Sequence, residues 1–253
     1  MYRCYNTLME NTINIGQAAI MLGINTQTLR RWDKSGELSA KRNTSGKLFY
    51  DQNDLENFLK SNLKYFLKTA ENWSFAKNAF VLPDGLYCPD RSVFKARLSR
   101  FEYDLRENNL FEGIYSLVVA VAGEIGNNSF DHNLGNWPDV LGIFFGYNLK
   151  KRIIILADRG QGILATLKRV RPNLITHQEA LRTAFTEIVS GRFPENRGNG
   201  LKFVKQVVQD NGFSLFFQSG DATLSLSNKG GDEIGSLNTS DRFLRGCFAR
   251  LNF

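Results

Sequence analysis

The first sixty residues alternate apolar and polar positions in a way that predicts two short helices. Asn14, with Gln17 three residues later, resembles a capping box, and apolar residues at helical spacing follow as far as Gly23. Asn25 provides a second cap, before a helix predicted over residues 26–34. Two short helices joined by a three-residue turn make a helix-turn-helix.

The second predicted helix keeps its charges on the outside. Leu29 and Trp32 face inward by the helical period, and a hairpin over residues 38–42 and 47–50 follows with basic residues on both arms. A third helix begins at residues 54–59. One interpretation is a packing module whose charges are merely solvated. The other is a DNA-binding surface, and its candidate contacts are Gln27, Thr28, Arg30, Arg31, Lys41, Arg42 and Lys47.

Proline and glycine divide the rest of the chain. A helical pattern over residues 63–73 is broken by prolines at 83 and 89, and it resumes over residues 91–107 with an apolar stripe typical of a core or partner face. The expected organisation is an N-terminal domain over residues 1–62, a connector over 63–90 and a C-terminal domain over 91–253.

The most apolar stretch of the chain is a predicted buried strand at residues 153–157, where three of five residues are β-branched. It runs into Asp158, and Gly160 and Gly162 follow at alternate positions, where a backbone without side chains can approach a ligand. A carboxylate at such a strand end can accept a hydrogen bond from an exocyclic amine, such as that of adenine. The alternative is a structural turn after a strand.

Polar residues also follow one face of a predicted central helix over residues 110–133. Glu124, Asn128 and His132 are spaced by four, so they share that face. A carboxylate can position a water molecule and a carboxamide can hold a hydrated magnesium ion, as phosphoryl chemistry requires. The alternatives are polar caps near a helix end, or a core histidine.

A glycine-rich run precedes another helix near residue 200. Backbone N–H groups at the start of a helix bind phosphate, and the loop before this one could close over a ligand as a lid. The candidate residues are Gly198, Asn199, Gly200 and Leu201. Strands are predicted at residues 213–217, 222–227 and 248–253.

Composition narrows the class of protein. The 253 residues are 42% hydrophobic and 23% charged, which is ordinary for a globular protein, and a net charge of +7 favours a polyanionic partner. Three widely spaced cysteines, Cys4, Cys88 and Cys247, suit free thiols in a reducing cytosol and make a zinc site unlikely to form. With no apolar signal core and no window long enough to cross a bilayer, we expect a cytoplasmic protein without membrane contact.

Residues 10–60 resemble the winged DNA-binding domain of the MerR and excisionase type. The resemblance rests on the run Thr28-Leu29-Arg30-Arg31-Trp32 followed by Gly36-Glu37-Leu38. It implies that the second helix enters the major groove of double-stranded DNA while the wing holds the backbone.

Residues 90–253 resemble the GHKL ATPase superfamily, which includes gyrase, histidine kinases and mismatch-repair ATPases. The resemblance rests on the order of Glu-x-x-x-Asn on a helix, Asp-x-Gly-x-Gly after a strand, a lid, and Gly-x-Gly-Leu opening a helix. It implies an α+β chain whose C-terminal domain is an α/β sandwich, a mixed sheet with helices on one face, that binds ATP and Mg²⁺.

The GHKL resemblance also implies residue roles. Glu124 would be the general base and Asn128 the magnesium ligand, while Asp158 would read adenine. The remaining nucleotide contacts would be Gly160, Gly162 and Ile163 at the pocket floor, and Gly198, Asn199, Gly200 and Leu201 around the phosphates. Two positions depart from the family pattern: Gly246-Cys247 stands where Gly-Thr is common, and Asp131 stands where sensor kinases often have a basic residue, although His132 resembles the anti-sigma kinase branch.

The two resemblances together predict a DNA-binding transcriptional regulator with a magnesium-dependent ATPase domain, whose ATP or ADP state modulates binding of DNA or a protein partner. A homodimer on repeated DNA sites fits this prediction. Two alternatives stay open: a serine/threonine protein kinase of the anti-sigma type tethered to DNA, and a module that binds nucleotide without hydrolysing it.

Overall fold

The computed structural model of the protein describes residues 11–108, 111–187, 199–228 and 235–253. The chain divides into two units, Met1–Tyr87 and Cys88–Phe253. It is α+β, as the sequence predicts, with helices and antiparallel sheets. Within the described ranges, no helix is both long and apolar enough to cross a membrane.

Local side-chain caps start the first helices of the N-terminal unit. The Asn14 side chain accepts a hydrogen bond from the Gln17 amide at 3.0 Å, and Asn25 accepts one from the Thr28 amide at 2.7 Å. Each cap satisfies an amide that has no partner inside the helix. The elements in chain order are β1 (Thr12–Asn14), α1 (Ile15–Leu22), α2 (Thr26–Ser35), β2 (Lys41–Arg42), β3 (Leu48–Asp51), α3 (Gln52–Ser61) and α4 (Leu63–Phe75).

The strands of this unit form a small antiparallel sheet in the order β1-β3-β2. β2, β3 and the turn between them are called the wing below. Helix α4, which the sequence placed in a connector, packs on α1: the Thr69 hydroxyl donates to the Met21 carbonyl at 3.2 Å, and the Asn72 amide donates to the Ile20 carbonyl at 3.2 Å. Helix α4 therefore belongs to the packing of this unit.

A 3₁₀ turn at Asp84–Leu86 leads to the second sheet. The elements that follow are β4 (Tyr87–Cys88), α5 (Arg91–Arg106), α6 (Tyr115–Asn133), β5 (Ile143–Asn148), a 3₁₀ turn (Leu149–Lys151), β6 (Ile153–Asp158), α7 (Gly162–Leu167), α8 (His177–Thr186), α9 (Gly200–Asp210), β7 (Ser214–Ser227) and β8 (Ser236–Asn252).

The second sheet has the strand order β4-β5-β6-β8-β7. The ladders from β5 to β6, from β6 to β8 and from β8 to β7 are antiparallel, so the predicted mixed sheet is wrong for these strands. The connection from β5 to β6 is too short for the crossover that a parallel pair requires. β7 is one strand where two were predicted, with register shifts around Gly220 that bend it.

Side chains from one face of this sheet pack against helices, and together they form the hydrophobic core. Phe94 and Phe101 on α5 pack edge-on against Phe145 of β5, with ring centroids 5.3 and 6.1 Å apart. Ile154 and Leu156 of β6 belong to the same buried cluster, together with side chains from α6, α8 and α9. The apolar stripe of α5 is therefore a core face.

Candidate functional sites

Helix α6 carries the polar face that the sequence singled out. Glu124 and Asn128 are both partly buried, and both meet Gly200, the first residue of α9. A Cβ added at Gly200 would collide with the Glu124 carboxylate and would lie 3.5 Å from Nδ2 of Asn128. A side chain at this position would have to displace the Glu124 carboxylate, because the start of α9 lies so close to the polar side chains of α6.

Asp158 lies at the end of β6, and its side chain belongs to a buried polar network. It is only 1% exposed. The Ser129 hydroxyl donates to Oδ2 at 2.7 Å, and the Gly160 amide donates to Oδ1 at 2.8 Å. Burial raises the pKa of Asp158, and the hydrogen bonds from Ser129 and Gly160 partly offset that rise because they favour the charged form.

Ser129 follows Asn128 directly on α6, so this one helix contacts both the turn at Asp158 and the start of α9. Ser129 was not among the site residues predicted from the sequence. In the sequence, only its place beside the polar face of α6 pointed to it, because its contact with Asp158 spans 29 positions of the chain.

The turn after β6 is held by the protein's own side chains. A Cβ at Gly160 would collide with the Asn133 side chain, whose carbonyl oxygen accepts from the Gln161 amide at 2.8 Å. Gly162 begins α7, and the Ile163 amide donates to the Ser219 hydroxyl at 3.0 Å. The predicted pocket-floor residues are therefore tied to α6 on one side and to β7 on the other.

Cys247, at the position where the GHKL resemblance implies threonine, lies in this network as a thiol. Its Sγ is 3.7 Å from the Ser219 hydroxyl, which donates to the Gly246 carbonyl at 3.0 Å. Burial, and then the nearby Asp158 carboxylate, raise the pKa of Cys247 well above its ordinary value. The thiol is therefore protonated at neutral pH and can act as a weak donor beside Asp158.

A second charged cluster flanks the Asp158 turn. Asp139, in the loop after α6, accepts hydrogen bonds from Arg159 at 2.6 Å and from Arg245 at 3.0 Å on the same oxygen. Arg159 is only 3% exposed, so its charge depends on this partner. The cluster ties the loop to the end of β6 and to the middle of β8, beside Asp158 and Gly246.

His132, one turn beyond Asn128, lies in partly buried surroundings. Burial, and then the neighbouring Arg169, lower the pKa of His132, so the imidazole is neutral at pH 7. Its Nδ1 atom is buried and has no hydrogen-bond partner among the described residues. His132 is therefore not a fixed positive charge at this end of α6.

The predicted phosphate-binding residues lie around the start of α9. Asn199 is the N-cap residue and Gly200 begins the helix, while the Leu201 side chain is buried in the core. Gly198 lies outside the described residues. In the described part of the chain, no cluster of three or more His, Cys, Asp or Glu side chains could hold a metal ion by itself.

Helix α2 separates a buried face from an exposed one. Leu29 is fully buried, and Trp32 packs on Phe58 and Tyr65 at 5.3 and 5.2 Å between ring centroids. The opposite side leaves the side chains of Gln27, Arg30 and Arg31 exposed. Thr28 is partly buried and its hydroxyl donates to the Asn25 cap at 3.1 Å.

The wing carries cations whose surroundings differ. Lys41 pairs with Asp51 at 3.1 Å, and this hydrogen bond is the main reason that the pKa of Asp51 is lowered. Arg42 pairs with Asp33 of α2 at 2.9 Å. Lys47 is exposed and forms no ion pair with any residue that the structure describes.

Residues 13–63 match the family model for the MerR HTH family regulatory protein. No curated protein matches the chain. The family match covers α1, α2, the wing and α3, and so includes the two elements whose cations are described above. The chain thus carries a MerR-type helix-turn-helix, the DNA-binding module of a regulator, and double-stranded DNA is the partner that this module implies.

Within the MerR-type unit, the structure brings together only part of the predicted contact set. Arg30, Arg42 and Lys47 line one groove between α2 and the wing. Lys34 lines it too, although the sequence analysis did not select it. The helical period could have identified Lys34, because it follows Arg30 by one helical turn and therefore lies on the same side of α2.

Proposed function

We propose that this protein is a DNA-binding regulator whose C-terminal unit binds ATP with magnesium, and that the nucleotide state modulates the binding of DNA or of a protein partner. The single observation that carries the nucleotide part is the meeting of three segments along α6. Glu124 and Asn128 meet Gly200, while Ser129 holds Asp158. The GHKL resemblance of residues 90–253 gives the same segments their order and their roles.

At the adenine end of the nucleotide, Asp158 would accept a hydrogen bond from the exocyclic amine. Oδ1 already accepts from the Gly160 amide and Oδ2 from the Ser129 hydroxyl. Cys247 also donates to this carboxylate through its backbone amide and its thiol, so the roughly four acceptor positions of the carboxylate are engaged, and the adenine amine would take the place of the weak thiol donor. Because Asp158 is 1% exposed, the turn that follows β6 must open to admit the base.

At the phosphate end, Asn128 would hold Mg²⁺ and the first amides of α9 would bind phosphate oxygens. Magnesium sites of nucleotide enzymes often have only one or two protein ligands, with phosphates and water completing the shell, so the lack of an acidic cluster in the described residues fits this arrangement. The bound ion would neutralise charge on the phosphates.

Glu124 would act as the general base for the attacking water. Its carboxylate lies against Gly200, at the start of the helix that would hold the phosphates. A base must lie within hydrogen-bond reach of the proton that it removes, and this position is suited to a water beside the terminal phosphate.

Coupling to DNA requires that the two states of the protein differ in nucleotide affinity. A ligand shifts an equilibrium only by its differential affinity for the two states, and the same coupling acts in both directions. Bound DNA should therefore change ATP affinity by the same factor by which ATP changes DNA affinity.

Calorimetric titration of the full chain with ATP and Mg²⁺ tests the nucleotide proposal. We expect saturable binding at one site per chain, with phosphate release that Glu124→Gln abolishes while ATP binding is kept. Binding without phosphate release in the wild type would favour the non-hydrolysing module. Transfer of labelled phosphate to a protein hydroxyl would favour the kinase, and absence of ATP binding would contradict the proposal.

A further inference from the structure

The carboxylate of Asp158 is enclosed by three elements of the C-terminal unit. The Ser129 hydroxyl of α6 and the Gly160 amide donate to it at 2.7 and 2.8 Å, and Cys247 of β8 donates to it as well. Helix α6 and strand β8 are held by backbone ladders, whereas residues 159–161, called the Asp158 turn below, lie outside any helix or strand. A ligand therefore reaches Asp158 at the lowest cost if this turn moves aside.

Two side chains, from α6 and from the loop after it, hold the Asp158 turn in place. Oδ1 of Asn133, at the end of α6, accepts from the Gln161 amide at 2.8 Å. Oδ2 of Asp139 binds the Arg159 guanidinium, whose Nε and Nη2 atoms lie 2.6 and 2.5 Å away. Asp139 belongs to the loop over residues 134–142, between α6 and β5. The ion pair therefore joins two irregular segments, and it can open without unfolding a helix or a strand.

The loop between α6 and β5 has the features of a hinged segment. Gly135 and Gly142, close to its two ends, adopt φ angles of 72° and 85°, which glycine reaches without strain. The middle of the loop is attached through side chains: Trp137 packs on Phe130 with ring centroids 6.2 Å apart, and Asp139 forms the ion pair. Side-chain contacts open at a smaller cost than a backbone ladder, so the loop can move while the sheet stays intact.

Arg245 of β8 completes the ion cluster. Its Nη2 atom lies 3.0 Å from the same Asp139 oxygen that Arg159 binds. The Arg159 side chain is 3% exposed, whereas those of Asp139 and Arg245 are 23% and 46% exposed. Solvent therefore screens the contact with Arg245 more than the contact with Arg159. The pair with Arg159 is thus the stronger of the two, and the pair with Arg245 opens more readily.

We propose that Asp139, Arg159 and Arg245 form a latch on the adenine site at Asp158. The latch holds the Asp158 turn closed, and nucleotide enters and leaves when the ion pairs of Asp139 open. The inference rests on the proposed function, because it assigns an entry route to that nucleotide site. The route is separate from the lid predicted in front of α9, which would close over the phosphates.

A latch changes rates and leaves affinity nearly constant. If the Asp158 turn must open for both entry and exit, a weaker latch raises the association and dissociation rate constants for ATP by the same factor. A contact with the bound nucleotide behaves differently, because its loss raises mainly the dissociation rate constant. The two rate constants measured together therefore distinguish a latch from a binding contact.

Asp139→Asn weakens the latch with little change of shape. The amide oxygen still accepts from Arg159, but a neutral hydrogen bond replaces a charge-assisted one. We expect the turn to open about 5- to 10-fold more often. Arg245→Gln removes the more exposed guanidinium and leaves the pair of Asp139 with Arg159 in place, so it should act in the same direction by about 2- to 5-fold. Arg245→Gln carries the test if Asp139→Asn is poorly folded.

Asp104→Asn is the matched control. The Asp104 side chain is 23% exposed, as that of Asp139 is, and it pairs with Arg100 at 2.8 Å. It also accepts from the Tyr147 hydroxyl at 2.6 Å, and it lies on α5, outside the Asp158 turn and the loop after α6. Asp104→Asn therefore removes an equally exposed carboxylate charge from the same unit without touching the latch.

Amide hydrogen exchange of the nucleotide-free, full-length chain measures the opening of the turn. The Gly160 and Gln161 amides donate within the closed turn, so each exchanges when the turn opens. Mass spectrometry of peptides that cover the turn should show exchange about 5- to 10-fold faster in Asp139→Asn and about 2- to 5-fold faster in Arg245→Gln. Asp104→Asn should exchange at the wild-type rate.

Binding of labelled ATP in the presence of Mg²⁺ tests the link between the latch and nucleotide. Rapid filtration gives the association rate constant, and a chase with unlabelled ATP gives the dissociation rate constant. We expect both to rise in each latch variant by the factor found for amide exchange, with a dissociation constant within about 2-fold of the wild type. Both rate constants should be unchanged in Asp104→Asn.

Equal exchange in the wild type, Asp139→Asn and Arg245→Gln would overturn the latch. So would faster exchange with unchanged ATP rate constants, because the turn would then open without admitting nucleotide. A rise in the dissociation rate constant alone would make the cluster a binding contact and would also overturn the proposal. If the wild type binds no ATP, the proposed function fails and the entry route fails with it, whereas the exchange rates still show whether the cluster holds the turn closed.

Discussion

The two candidate sites are built in opposite ways. In the MerR-type unit, the cations of α2 and the wing are exposed, and the fold depends on other residues, such as Leu29 and Trp32. In the C-terminal unit, Asp158 is 1% exposed and is hydrogen-bonded to Ser129 and Gly160. A substitution in the first site changes binding alone, whereas a substitution in the second changes a network inside the protein.

The difference also sets the size of the expected effects. Exposed ion pairs such as that of Lys41 with Asp51 contribute about 0–1 kcal/mol to stability. Hydrogen bonds to a charged group contribute about 1.5–3 kcal/mol, and more is lost when a buried partner is left unsatisfied. The largest effects of all should come from core residues that touch no ligand.

The comparison can first be tested within α2 itself. Leu29 is fully buried, so Leu29→Ala should lower the free energy of unfolding of the N-terminal unit by about 2–5 kcal/mol, through lost burial and the cavity left behind. Arg31→Ala, two residues away and exposed, should lie within about 0.5 kcal/mol of the wild type. Urea denaturation followed by circular dichroism measures both.

Equal destabilisation by Leu29→Ala and Arg31→Ala would break the distinction between a supporting core and a binding surface. The chain has two units, so the two transitions must be resolved before free energies are assigned.

The next effect concerns nucleotide affinity. Asp158→Asn keeps the shape of the side chain but replaces one acceptor oxygen by an N–H donor, so the proposed contact with the adenine amine would be lost. The loss of a hydrogen bond to a charged group costs about 1.5–3 kcal/mol of binding free energy, which raises the dissociation constant for ATP by about 10- to 150-fold. Calorimetric titration measures it.

Thermal stability provides the control for Asp158→Asn. Asp158→Asn places an N–H donor against the buried donors that now bind the carboxylate, so the variant should also unfold at a lower temperature, and ATP affinity is compared where both proteins are folded. A folded variant that binds ATP as the wild type does would contradict the assigned role.

The smallest effect should come from Ser129. Its hydroxyl favours the charged form of Asp158, so Ser129→Ala raises the pKa of Asp158 further. ATP binding needs the ionised acceptor, which exists only above that pKa, and affinity is therefore lost as the pH falls. We expect the acid limb of the ATP-binding profile to move to higher pH, with about a 2- to 10-fold loss near neutrality.

Ser129→Thr retains the hydroxyl and should restore the wild-type pH profile. If Ser129→Ala weakened ATP binding by the same factor at every pH, the hydroxyl would act through packing and not through the charge of Asp158.

Local signals were sufficient to predict the first helices. Asn14 and Asn25 cap α1 and α2 through residues three positions away, so the chemistry that starts each helix is visible in the sequence. The same holds for the buried strand β6, whose apolar run matches its full burial. The outward side of α2 also follows from the helical period.

Contacts between distant segments could not be predicted in this way. β1 is three residues long and forms because Thr12 pairs with Asp51, and no local pattern identifies it. Asp139 accepts from Arg245, which is 106 positions away. Ser129 was missed for the same reason, since periodicity places a residue on a face but does not show which side chain lies opposite.

The most direct measurement of the central claim is the affinity of the full chain for a duplex selected from a random-sequence library, without nucleotide, with ADP and with ATP, each in the presence of Mg²⁺. We expect ATP to change the dissociation constant by about 5- to 150-fold, the usual size of such coupling, and Asp158→Asn to abolish the change while leaving nucleotide-free DNA binding intact. Equal DNA affinity in all three states, in a sample shown by calorimetry to bind ATP, would contradict it.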